Sequence, residues 1–214
     1  VGNNAGDQTV APGESRTYTY YAHPANKETT SLVWDGGNIV VNPRNGLYGA
    51  IVIGPKGSQY RDPVTGADVS QKNTWRADVI VDTTLSENAG KRNYRDVALF
   101  FQDEDNIIGT AFMPYVQNVA GLTSVNYRAE PYKFREEQGC SLGKIFQPCA
   151  VDKPEDPVTP LIEAHTGDAL RIHVIGANSE QNGMFSVEGH EWLIEPYMPG
   201  ADMISVVEYA GSEI

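Results

Sequence analysis

Four histidines, His23, His165, His173 and His190, and two cysteines, Cys140 and Cys149, are the chain's whole supply of imidazole and thiol. Such donors hold copper or zinc when several converge at fixed spacing. Along the sequence they do not: there is no His-x-His, no His-Cys-His and no Cys-x-x-Cys, and neither cysteine has a neighbouring histidine. Two weaker metal candidates remain. Glu188 and His190 place a carboxylate and an imidazole two residues apart, a pairing that suits a divalent ion. The run Gln102-Asp103-Glu104-Asp105-Asn106 brings Asp103 and Asp105 close together, and hard oxygens of this kind suit Ca2+, Mg2+ or Mn2+. It lacks the alternating spacing and sixth-position glycine of an EF-hand loop. Asp152, Glu155 and Asp156 form a similar acidic group.

Each candidate also has a plainer reading, which we take as the expectation. His190 reads as a structural histidine that hydrogen-bonds within a turn. His165 precedes Thr166-Gly167-Asp168 and reads as a turn residue. His173 lies between Ile172 and Val174, and strand alternation sends it to the opposite face, at the surface or an interface. The acidic runs read as solvated strand or loop ends. Cys140 and Cys149 enclose eight residues and could close a disulfide in an oxidising compartment or stand as two free thiols. Other catalytic signatures are missing: no Gly-x-Ser-x-Gly elbow, no P-loop, no His-Glu-x-x-His. No catalytic or cofactor-binding residue is assigned.

The elements that must position these residues are strands. Arg16–Tyr21 alternates aromatic or β-branched residues with polar ones after the turn Ala11-Pro12-Gly13-Glu14. Apolar runs at 50–53, 77–81, 97–101, 169–175, 192–194 and 203–207 are bounded by turn-forming or polar segments and predict further strands. No stretch keeps a capped 3.6-residue apolar period, so the prediction is an all-β chain built as an antiparallel sandwich or Greek-key barrel. Its 214 residues suffice for one good core or two modest ones. A net charge of -12 argues against a nucleic-acid or anionic-membrane partner. No apolar run approaches the roughly 20 residues of a membrane-spanning helix.

Several phrases, taken in order, point to a family. They are Val10-Ala11-Pro12-Gly13-Glu14 leading to Tyr18 and Tyr20, and Gly46-Leu47-Tyr48-Gly49-Ala50-Ile51-Val52-Ile53 before Pro55. Next come Asp96–Asp105, Val125–Pro131 and Thr166-Gly167-Asp168-Ala169-Leu170-Arg171-Ile172-His173-Val174, and finally Met184–Trp192. Together they resemble the cupredoxin domains of large bacterial multicopper oxidases, a group with ceruloplasmin-like and manganese-oxidising members. The resemblance implies a cupredoxin-type Greek-key β-sandwich. It implies parts of two adjacent domains: 1–82 as the C-terminal part of one and 83–214 as the N-terminal part of the next. Residues 131–160, with both cysteines and five of the thirteen prolines, would form an interface or functional loop.

The same resemblance defines what is missing. The family's paired-histidine segment maps its three ligand positions onto Gly183, Ser186 and Glu188, and its last, non-ligating histidine onto His190. The expectation is a copper-free structural segment of a multidomain, exported oxidase, extracellular, periplasmic or on the cell surface. Copper is expected in the parent assembly, and the partners are other segments of the same oxidase, the chain being a proteolytic fragment or one part of a split enzyme. The parent would oxidise a small reductant or metal ion, Mn(II) among them, and reduce O2. The alternative is a stand-alone, non-catalytic cupredoxin-like binding or assembly module; a carboxylate-based metal store ranks last.

Overall fold

The structure is a computed structural model that describes residues 6–23, 28–38, 41–44, 46–103, 123–126, 161–179, 183–194 and 198–209. The described residues are β-rich. Eleven strands run β1 (Thr29–Trp34), β2 (Tyr48–Ile53), β3 (Gln59–Arg61), β4 (Arg76–Ile80), β5 (Tyr94–Asp103), β6 (Thr123–Val125) and β7 (Leu170–Ser179), then β8 (Gly183–Ser186), β9 (Trp192–Leu193), β10 (Met203–Ile204) and β11 (Val206–Tyr209). Helical structure among them is one turn, α1 (Val41–Arg44), and a 3-10 turn at Ser86–Asn88. The all-β prediction holds. The chain divides into two compact units, Val1–Pro55 and Lys56–Ile214.

In the first unit β1 and β2 form an antiparallel ribbon with Trp34 opposite Tyr48 and Thr29 opposite Ile53. Their connection is organised by Asp35, whose backbone N–H donates to Leu47 O at 3.0 Å. Its carboxylate accepts from Gly37 N at 2.6 Å and Asn42 Nδ2 at 3.1 Å. Residues 16–21, predicted as a strand, carry no strand among the described residues, although the Ala11–Glu14 turn forms with Gly13 at φ 84°. Alternation supplies strand propensity but no ladder partner, and here the ladder decides.

The second unit is organised around β5. β4 pairs antiparallel with its first half, Arg76 facing Val97, and β3 pairs with β4. β6 pairs antiparallel with its last residues, Phe101 to Asp103. β7 runs parallel to β5 over almost its whole length, Asp96 facing Arg171 and Ala98 facing His173. Parallel neighbours cannot be joined by a tight hairpin, so β5 and β7 require the long intervening connection. Strands before residue 82, β3 and β4, thus share one sheet with β5 and β7.

Both faces of β5 are covered. Val97 and Leu99 are 1% and 5% exposed on one face, while Tyr94, Asp96 and Ala98 are buried on the other. This two-sided burial explains why Val97–Phe101 reads as a continuous apolar run and not as an alternation. One core cluster, Val79, Val81 and Tyr94 with Tyr60 and Ala169 against it, sits on the Tyr94 face. Between Phe101 and Gln102 the register with β7 slips from Gly176 to Asn178, so Ala177 is the extra residue of a bulge and is fully buried.

β8 and β9 pair with β11 and β10 respectively, both antiparallel. The run 203–207, predicted as one strand, is cut at Ser205, where the chain leaves β9 and takes up pairing with β8.

Candidate functional site

The side chains that meet in a chemically capable arrangement lie where β5 and β7 run side by side. The parallel register and the two-residue pleat put Tyr94, Asp96, Arg171 and His173 on one face. His173 Nε2 and Asp96 Oδ1 are 2.6 Å apart, with side chains 13% and 9% exposed. Beside this pair the Arg171 guanidinium stacks on Tyr94, 4.2 Å from the ring centroid, and its Nη1 donates to the phenol oxygen at 3.0 Å. A cation over an aromatic face is favourable by about 0.5–2 kcal/mol, more as water is excluded.

His173 therefore differs from the expectation. Alternation does send it away from Ile172 and Val174, but the face it reaches is largely covered, leaving the His173 side chain 13% exposed. Asp96, not among the candidate site residues of the sequence, supplies the acceptor that makes a mostly covered imidazole tolerable.

The opposite face carries a second charged contact. Arg95 donates in fork geometry to Asp78, Nε to Oδ1 at 2.7 Å and Nη2 to Oδ2 at 3.1 Å, across the β4–β5 ladder. Its Nη1 also donates to the Glu163 carbonyl, tying the approach to β7 onto β5. The Asp78 hydrogen bond holds the Arg95 guanidinium above its usual, already high value.

Asn126 is the third element. It is the one non-glycine residue of positive φ, 51°, among the described residues, a conformation asparagine tolerates better than most. β4 ends its pairing with Trp75 O accepting from Ala98 N, and β6 begins with Val125 opposite Phe101. In the gap, Asn126 Nδ2 donates to Ala98 O at 3.1 Å and its Oδ1 accepts from Phe100 N at 2.8 Å. Its own backbone N–H donates to Phe100 O at 3.0 Å. The side-chain amide thus stands in for a missing peptide unit and keeps the β5 ladder continuous.

The remaining candidates fall apart from this cluster. His190 is exposed in the turn Val187–His190, with Gly189 at φ 74°; its N–H donates to Val187 O and its Nδ1 donates to the Glu188 carbonyl at 2.9 Å. The bond His190 makes to Glu188 is thus to the backbone, as a turn histidine would make. His165 likewise closes a turn: Asp168 N donates to His165 O at 3.0 Å, and His165 N donates to Asp168 Oδ2 at 2.8 Å. That backbone hydrogen bond is the main reason the Asp168 carboxyl lies below its usual range. His23 stacks edge-on against Tyr21 at 5.9 Å.

Asp103 ends β5, facing Thr123 of β6 and Ser179 of β7 through the backbone. Asp105, Asp152, Glu155, Asp156, Cys140 and Cys149 lie outside the described residues. Among the described residues, no three His, Cys, Asp or Glu side chains are grouped to hold a metal ion.

The acidic surface has its own structural use. Asp7, Asp62, Asp68 and Asp82 each accept from the backbone N–H and the hydroxyl of a Ser or Thr two or three residues on. These are Asx turns, in which the carboxylate organises the loop. Next to Asp82, Asn88 is fully buried; its Nδ2 donates to Lys56 O at 2.9 Å and Asp82 O at 2.8 Å, and its Oδ1 accepts from Lys91 Nζ at 3.2 Å.

The positions that the resemblance marks for copper do not fit the metal. Gly183 and Ser186 are the two ends of β8, and Glu188 stands in the turn that follows. A glycine has no donor side chain, and hydroxyl or carboxylate oxygen is a poor match for a site that wants imidazole and thiolate. Among the described residues, no helix is long and apolar enough to cross a membrane. No protein-family model matches the sequence, and no curated protein matches it closely enough to count as a relative.

Proposed function

We propose that this chain is a structural segment of a multidomain multicopper oxidase, with the copper sites in other segments of the same assembly. The observation that carries the reading is positional. Four of the six family-like phrases fall, in order, on β2, β5, β7 and β8–β9, a fifth meets β6 at Val125, and the first, 10–20, forms no strand, while oxygen or no donor stands at the ligand positions 183, 186 and 188. On the face that β5 and β7 share, polar groups are already engaged with one another: Asp96 holds His173, and Arg171 is stacked on Tyr94. These contacts fasten strands together, a task suited to a segment that positions its neighbours. The parent would oxidise a small reductant or a metal ion, Mn(II) among them, and reduce O2. An exported location belongs to the same reading.

A copper titration tests the chain's part in this. The purified chain is expected to develop no intense thiolate-to-copper absorption and to retain less than one equivalent of copper after dialysis. A strong blue band with stoichiometric copper would place a type 1 centre in the chain and overturn the proposal. The second reading, a stand-alone cupredoxin-like binding or assembly module, draws on the second unit, whose sheet has its own two-sided core around β5.

A further inference from the structure

We draw no further inference here: the strongest candidate, the open apolar trough of the first unit lined by Tyr18, Tyr20, Trp34 and Tyr48, carries nothing because nothing in the structure shows what covers it.

Discussion

Removing the Asp96 carboxylate should loosen β7 from β5, and the size of the effect follows from the geometry. The 2.6 Å contact with His173 joins two side chains that are 13% and 9% exposed, so water can replace little of what is lost. A hydrogen bond to a charged group contributes about 1.5–3 kcal/mol, and breaking a fully buried pair from one side costs about 3–5 kcal/mol. Slight residual exposure places Asp96→Ala between these, at about 2–4 kcal/mol. Against a typical domain stability of about 5–15 kcal/mol, that is a large fraction. With a urea dependence of about 2 kcal/mol per molar, the unfolding midpoint should fall by about 1–2 M. Tryptophan fluorescence follows the transition, with Trp75 adjoining β4 as a reporter.

A double-mutant cycle with His173→Ala isolates the pair from the methylenes removed with it, and the coupling should exceed about 1 kcal/mol. Asp96→Asn, which keeps the shape and removes the charge, should lose less than Asp96→Ala. A midpoint shift below about 0.3 M for Asp96→Ala, with no coupling in the cycle, would refute the claim that this pair fastens the two parallel strands.

Asn126→Ala should cost about 1–3 kcal/mol, from two side-chain hydrogen bonds at about 0.5–1.5 kcal/mol each, and should speed hydrogen exchange at the Phe100 amide selectively. Asn126→Gly relaxes the φ of 51° yet loses the same two bonds, so stability at or above the parent's would contradict the surrogate-peptide role. Asn88→Ala removes the buried amide that joins Lys56 O to Asp82 O; a lower melting temperature and faster proteolysis near residues 56 and 82 are expected, and unchanged values of both would count against the clamp. The turn hydrogen bonds depress the Asp7, Asp35, Asp62, Asp68, Asp82 and Asp168 carboxyls in the folded chain. Because the folded values are depressed, their contribution is complete above the unfolded value of about 3.9 and is lost as pH falls through the folded values. Carboxyl carbon NMR should therefore show midpoints below about 3.9 for these residues, and midpoints at or above it would contradict these turn hydrogen bonds.

The strands of the second unit were legible because burial writes itself into sequence: 77–81, 97–101 and 169–175 are apolar runs, and they became β4, β5 and β7. The partners were not legible. That β7 lies parallel to β5, with Arg171 beside Asp96, depends on contacts about 75 residues apart in sequence, which no local pattern encodes. His173 shows the consequence. Its side of the strand followed from alternation, but its burial depended on what covers that face. Arg16–Tyr21 shows the converse, a segment with the right alternation and no strand.

For the candidate site, His190 and His165 could be placed in turns because Gly189 and Gly167 sit beside them, and both glycines do adopt positive φ, 74° and 97°. Asp96 and Asn88 gave no local signal, since an acid or amide amid strands and loops ordinarily reads as solvated. Asn126 carried only a faint one, asparagine's tolerance of the left-handed region. Side-chain amides that substitute for backbone peptides become visible only once both strands they serve have been laid down.

The most direct test of the central claim is the intact native mass, together with the copper content, of the protein purified from its source without denaturants. The account predicts that this chain travels in a larger assembly carrying several copper ions per complex. A monodisperse, copper-free 23.4 kDa monomer would contradict it and leave the stand-alone binding module.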